Sequence, residues 1–246
     1  MNIFRIKVAD VVVEIESIYN TSQYYCRHFL TSDSPNFKVS ISPKDIEYER
    51  MMLIPNCNNE YIRDDQLELS SIHRKISNEI VKFDVFLMHA AAITLDGKAY
   101  LFAAKSGTGK TTHILKWLKE VRGSNVINGD KPFISMKNEP TVFSSPWSGK
   151  EGLFLNASSS IEAIVFLERN DNNYIEKLPF KEAYPLFYQY VYKPTDANGM
   201  KKTLTMIKNM NGKVSFYSFK INNFKNDCVQ VAYNALVNGL DSYGTI

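Results

Sequence analysis

Residues 104–112 read Ala-Lys-Ser-Gly-Thr-Gly-Lys-Thr-Thr, and the fold class turns on this stretch. It follows the phosphate-loop (Walker A) pattern G-x-x-x-x-G-K-[ST], with Ala104 at the first glycine position. Along such a loop the backbone N–H groups, here those of Lys105, Ser106, Gly107, Thr108 and Gly109, point inward and cradle phosphate oxygens. Lys110 is expected to reach the β- and γ-phosphates, and the Thr111 hydroxyl to hold Mg²⁺. Gly107 and Gly109 supply backbone angles that a residue with a Cβ resists. A glycine- and lysine-containing surface turn has similar letters, so the flanking sequence has to decide.

The flanks favour the loop. Tyr100-Leu101-Phe102-Ala103 is a short apolar run, as expected of a buried strand feeding it. From Thr112, residues 112–122 read as a helix whose Ile114, Trp117, Leu118 and Val121 form one apolar stripe, with Gly123 as the stop signal. The N-terminus of that helix adds a favourable dipole for an anion. Strand, loop and helix occur in the order the pattern needs, and ATP or GTP is the expected ligand.

Upstream, 89–95 reads as another strand, joined to the first by Asp96-Gly97. Asp-Gly between apolar runs signals a hairpin. The loop's strand is therefore expected to be the second arm of an antiparallel hairpin, whereas in small GTPases it belongs to a parallel βαβ unit. The guanine-reading order Asn-Lys-x-Asp is missing, since Asn128-Gly129-Asp130-Lys131 carries similar letters in another order. Nor does the Leu-Ser-Gly-Gly-Gln of transporter ATPases occur.

At 246 residues, 44% hydrophobic and 22% charged, the chain has the make-up of a globular protein with one main core and a smaller appended region. A net charge of +3 with dispersed lysines offers no basic stripe for nucleic acid. Cys26, Cys57 and Cys228 are widely spaced and form no Cys-x-x-Cys pair, which reads as reduced thiols of a cytoplasmic protein. The N-terminus shows no secretory apolar region, and no apolar stretch approaches a membrane span.

Residues 1–65 read as a β-rich N-terminal region packed on a core formed by 66–246. Strands are expected at 3–8, 11–15 and 37–41, with turn-rich breaks at 32–36 and 55–59. Residues 66–83 carry Leu69, Ile72, Ile76, Ile80 and Phe83 at helical spacing. Beyond the loop, strands are expected at 126–127, 133–136, 161–167 and 214–221, the third as a central buried strand. Helices are expected at 181–192, 200–210 and 228–237. The aromatic run of Tyr184, Phe187, Tyr188, Tyr190 and Tyr192 reads as core rather than as a ligand box.

A phosphoryl-transfer site needs a carboxylate near the γ-phosphate and the incoming hydroxyl. Asp130 is the candidate, because it follows a short β-branched run at a strand-to-loop junction; the alternative is a turn Asp beside glycine. Glu168 closes the run Ile164-Val165-Phe166-Leu167, either supporting a metal or pairing with Arg169 or Lys177 in solvent. His89 is either a satisfied structural residue or one carried beside the loop by the hairpin. In Pro146-Trp147-Ser148-Gly149-Lys150-Glu151-Gly152, Lys150 is a candidate for neutralising phosphoryl charge and Glu151 for holding Mg²⁺. The plainer reading is a surface loop anchored by Trp147.

Together, Met88-His89-Ala90-Ala91, the Asp-Gly hairpin, residues 104–112, Asn128-Gly129-Asp130, residues 146–151 and the strand ending at Glu168 resemble the HPr kinase/phosphorylase-like family, whose nucleotide-binding core is similar to that of phosphoenolpyruvate carboxykinase. The resemblance covers 87–168 well and the remainder weakly. It implies an α/β fold with a phosphate-loop core, a mixed sheet and a small β-rich N-terminal region. It also implies transfer of a phosphoryl group from ATP, with Mg²⁺, to a serine hydroxyl. By resemblance His89 is the active-site histidine, Lys110 the loop lysine, Thr111 the loop metal ligand and Asp130 the catalytic acid/base. Asp130 also counts among the metal ligands, and Lys150 lines the acceptor side. The chain departs from the family pattern in having one Asp where the family has a pair. It also has no clean match for the second metal-binding Glu, for which Glu151 is the choice, or for the family's late Arg. Its length is similar to that of short members that phosphorylate serine on precursor peptides. The expected partner is thus a peptide or small protein, without nucleic acid or membrane, and with room for a homo-oligomer. A nucleotide-gated binding module and a small-molecule kinase acting on free serine are the alternatives.

Overall fold

The computed structural model describes residues 2–53, 62–222, 225 and 227–240. Cys57 and the break expected at 55–59 lie outside them. Among the described residues the chain builds a three-stranded and a nine-stranded sheet with helices packed on them, a mixed α/β fold.

The N-terminal part starts with β1 (Asn2–Val8) and β2 (Val11–Ser17), an antiparallel hairpin joined by Ala9 and Asp10. Both turn residues have positive φ, 49° and 57°, the conformation a two-residue turn demands to match strand twist. β3 (Phe37–Ser40) joins β2 in parallel. These strands fall close to the expected runs. Two helices in this part were not expected from a β-rich reading: α1 (Asn20–Tyr25) and α2 (Pro43–Leu53). The signal for α2 is short-range. Ser42 donates its N–H and hydroxyl to the Asp45 carboxylate at 2.9 and 2.7 Å, and Pro43 sits at the first helical position. Ser-Pro-x-Asp is a helix start, though a short one without a strong apolar stripe behind it. α3 (Asp64–Glu79), continued by a 3₁₀ turn at Ile80–Phe83, packs Leu67, Ile72 and Ile76 into the same core as Ile6, Val13 and Ile15.

The larger sheet contains β4 (Val85–Leu87), β5 (Ala91–Leu95), β6 (Lys98–Ala103), β7 (Asn125–Asn128), β8 (Phe133–Ser135), β9 (Thr141–Phe143) and β10 (Ser158–Arg169). Their order is β4-β8-β9-β10-β6-β5-β7. β11 (Tyr174–Leu178) and β12 (Ser215–Ile221) extend it, β12 running parallel to β10. β10 is central because residues 163–167 are buried throughout, as a strand covered on both faces must be. The hairpin reading holds: β5 and β6 are antiparallel, with Leu95 opposite Lys98 and the turn made by Asp96 and Gly97 at φ 50° and 77°.

One face of the sheet is covered by α5 (Phe180–Tyr190) and α6 (Ala197–Lys208), which contribute Ala183, Phe187, Met206 and Ile207. The other is covered by α4 (Lys110–Glu120) and α7 (Cys228–Leu236), through Ile114, Trp117, Val229 and Ala232. Phe187 is fully buried and Tyr184, Tyr190 and Tyr192 are partly buried, whereas Tyr188 is exposed, so the aromatic run is core only in part. Among the described residues no helix is long and apolar enough to cross a membrane.

This topology positions the site. β6, β10 and β12 are parallel, and β7 runs the same way because both it and β6 are antiparallel to β5. The segments that leave their carboxyl ends, at 104–109, 129–131, 169–171 and 222, therefore gather along one edge, where open α/β sheets place ligands.

Candidate functional site

The 104–109 loop turns from β6 into α4. Gly107 and Gly109 have φ of 78° and 106°, and Gly109 stands immediately before the helix, so both need the freedom that only glycine has without strain. The first turn of α4 brings Lys110, Thr111 and Thr112 to the same mouth.

β7 delivers Asp130, and Asn128 holds it there. Asn128 is fully buried. Its side-chain oxygen accepts the N–H groups of Asp130 and Lys131 at 2.9 and 2.8 Å. Its amide nitrogen donates to the Ser145 carbonyl at 3.0 Å and to the Ser145 hydroxyl at 3.2 Å. The Ser145 hydroxyl in turn donates to the Lys131 carbonyl at 2.6 Å. A buried amide with this many partners specifies one backbone path. Gly129 is required by close approach: a Cβ there would stand 2.7 Å from the Ser148 carbonyl oxygen.

His89 arrives beside Asp130 through backbone bonds on both sides. The His89 N–H donates to the Tyr190 carbonyl at 2.7 Å, and the Ala90 N–H donates to the Asp130 carbonyl at 3.0 Å. Nε2 of His89 lies 3.0 Å from Oδ1 of Asp130, and Nζ of Lys110 lies 3.2 Å from the same oxygen. Burial pushes the Asp130 carboxyl up, but the His89 hydrogen bond and the Lys110 charge overcome this and bring it to about 2. Burial lowers the Lys110 ammonium, with the Asp130 carboxylate opposing the shift.

These groups line one cavity of about 670 Å³. His89, Lys110, Asp130, Lys150 and Glu151 all border it, as do Ala104, Lys105, Ser106, Gly107, Gly109, Thr111 and Thr112. Thr108 borders instead an adjoining cleft of about 430 Å³, which shares Gly109, Thr112 and Arg169 with the first and continues to Asn170, Asp171 and Asn222. The 146–152 loop is anchored as the plainer reading has it. Trp147 is buried, its ring 4.7 Å from that of His73 on α3, while Lys150 and Glu151 stand exposed at the rim. Thr111, Asp130 and Glu151 offer one hydroxyl and two carboxylates along the same cavity, the oxygen-only chemistry that suits Mg²⁺ sharing a phosphate.

Glu168 is in neither cavity and pairs with Lys220, its register partner on β12. Both sequence alternatives for it, a metal support and a pair with Arg169 or Lys177, give way to this contact. Two further residues join the site. Arg169, at the end of β10, donates to the carbonyls of Gly107 and Thr108, the latter at 3.3 Å. Lys131, next in sequence to Asp130, also borders the main cavity. Only the parallel pairing of β10 with β6 brings Arg169 to the loop, and no local pattern announces that pairing.

No protein-family model matches the chain, and no curated protein matches it. Among solved structures, the HPr(Ser) kinase/phosphatase from Coxiella burnetii is distantly similar, at 12% identity and a TM-score of 0.38, over 62% of this chain and 92% of that one.

Proposed function

We propose that the chain is an ATP-dependent phosphotransferase that moves the γ-phosphoryl group to a serine hydroxyl of a peptide or small protein. The observation that carries this reading is the meeting of His89 and Lys110 on one oxygen of Asp130, at the mouth of the glycine-rich loop. A carboxylate within hydrogen-bonding reach of both an imidazole and an ammonium, beside a glycine-rich loop, suits phosphoryl transfer to a hydroxyl.

In this reading the triphosphate lies along the 104–109 loop with its γ-phosphate toward Asp130. The nucleoside then falls on the opposite side, over the ends of β10 and β12, where the adjoining cleft continues past Thr108 and Arg169. Thr111 and Asp130, with Glu151 at the rim, are the residues that would hold Mg²⁺. When bound, that ion would supply positive charge that offsets the charge of the phosphates. Without nucleotide, Lys110 satisfies Asp130; with phosphates in the loop its ammonium turns to their oxygens. The carboxylate then loses a cationic partner and its proton affinity rises, which makes it a better base. The serine oxygen attacks the γ-phosphorus, its proton passes to Asp130, the bond to the β-phosphate oxygen breaks and ADP leaves. His89 holds the carboxylate in line, and Lys150 reaches the acceptor side.

The test is incubation with Mg-ATP and serine-containing peptides, followed by intact-mass spectrometry. The expected result is a mass gain of one phosphoryl group on the peptide. Nucleotide binding by calorimetry with no transfer to any acceptor would instead identify a non-catalytic nucleotide-gated module.

A further inference from the structure

Most cations along the main cavity have an assignment on the donor side. Lys105, Lys110 and Arg169 belong to the loop or touch its carbonyls. Lys131 does not. It follows Asp130 directly, its backbone is clamped by Asn128 and Ser145, and it borders the main cavity beside Asp130. Its charge acts on His73 of α3 as well as on Lys110.

Lys131 is also the uncompensated cation of the site. Lys105, Lys150 and Arg169 are exposed and keep their water, while Lys110 is half-buried and paired with Asp130. The Lys131 side chain is half-buried, and among the described residues its ammonium makes no ion pair or hydrogen bond. Elsewhere partly buried cations are matched, such as Arg74 with Glu49 and Lys75 with Asp45. An ammonium that borders the cavity next to Asp130 with no fixed counter-charge is available to an anion that arrives with a ligand. In the proposed reading the loop amides and Lys110 take the donor's phosphates, which leaves Lys131 to the acceptor.

We propose that Lys131 is a specificity-determining residue that binds a carboxylate carried by the acceptor next to its hydroxyl. This deepens the phosphotransferase reading and rests on it. The shared chemistry is a hydroxyl with a neighbouring carboxylate, supplied either by Asp or Glu beside serine in a peptide or by the carboxylate of free serine.

The experiment compares phosphorylation of otherwise identical peptides in which serine is flanked by Asp, Ala or Lys, and of free serine, by wild type, Lys131→Met and Lys131→Glu. Methionine keeps the apolar stem and removes the charge. In wild type the Asp-flanked peptide or free serine should be preferred, and which of the two leads identifies the source. Lys131→Met should raise KM for that acceptor on the order of tenfold, the weight of one charge-assisted hydrogen bond, with KM for ATP and kcat little changed. Lys131→Glu should shift the preference toward the Lys-flanked peptide. Equal losses for acidic and neutral acceptors, unaltered preference, or a change confined to KM for ATP would each overturn the assignment. Absence of transfer to every acceptor despite bound Mg-ATP would remove the phosphotransferase reading itself, and this inference with it.

Discussion

His89 and His113 both adjoin the glycine-rich loop, yet their surroundings are opposite. His89 is half-exposed and touches Asp130 at 3.0 Å. His113 donates its backbone N–H to Gly109 at 3.0 Å, but its ring is fully buried among Phe102, Trp117 and Phe219, and neither ring nitrogen has a partner. Around His89 the Asp130 carboxylate is answered by both the imidazole and Lys110, and the backbone behind it is held by a buried amide. Around His113 the chain accepts unsatisfied polar atoms in an aromatic box. The first region holds a fixed arrangement of charges, and the second packs α4 against the sheet at some cost in stability.

The sharpest way to break this contrast is to remove charge from the first region. Lys110→Met and Asp130→Asn should each lower phosphoryl transfer by about 10²–10⁴-fold, with Asp130→Asn keeping Mg-ATP affinity in calorimetry. Unchanged turnover in Asp130→Asn would take that carboxylate out of the mechanism. Next comes the support: Asn128→Ala strands the N–H groups of Asp130 and Lys131 and the Ser145 carbonyl in a buried place. It should cost roughly 2–4 kcal/mol in urea unfolding, and a loss near zero would show that the loop does not depend on this clamp.

Acid separates the regions further. Burial holds His113 and His73 at about 3, with nearby Lys116 and Lys131 adding to it, against an ordinary 6.5. Between those values the unfolded chain binds protons that the folded chain refuses. Stability is therefore full above pH 6.5 and falls on acidification, by about 1.4 kcal/mol per pH unit for each ring. Asp130, lowered to about 2 from 3.8, adds to the loss only below pH 4. Urea midpoints between pH 7 and 5 measure the slope, and His113→Leu should make it shallower. The smallest effect is that same variant at pH 7. Replacing an unsatisfied imidazole by an apolar side chain should stabilise by about 1 kcal/mol, with Mg-ATP affinity unchanged. A destabilised His113→Leu would mean that the ring's fit matters more than its unpaired nitrogens.

Much of the site was legible before the fold was known. The Asp96-Gly97 turn, the loop glycines and the stripe of α4 are local patterns, and each needs only a few neighbouring residues to be recognised. α2 is poorly legible in the sequence although Ser42, Pro43 and Asp45 form its start, because its apolar stripe is weak and strand-like runs precede it. In sequence Arg169 is only a neighbour with which Glu168 could pair; in the fold Glu168 pairs with Lys220, and the β6–β10 pairing carries Arg169 onto the loop.

By itself the sequence determined the strand–loop–helix unit and the hairpin that feeds it, because turn chemistry and glycine angles act over a handful of residues. The tertiary structure alone decided that Asp130 meets both His89 and Lys110, that Trp147 anchors its loop against α3, and that Lys131 remains uncompensated. Those facts depend on which strands lie side by side and on what burial leaves unpaired. Sequence spacing does not encode either, since contacts between distant segments are set by the packing of the whole core.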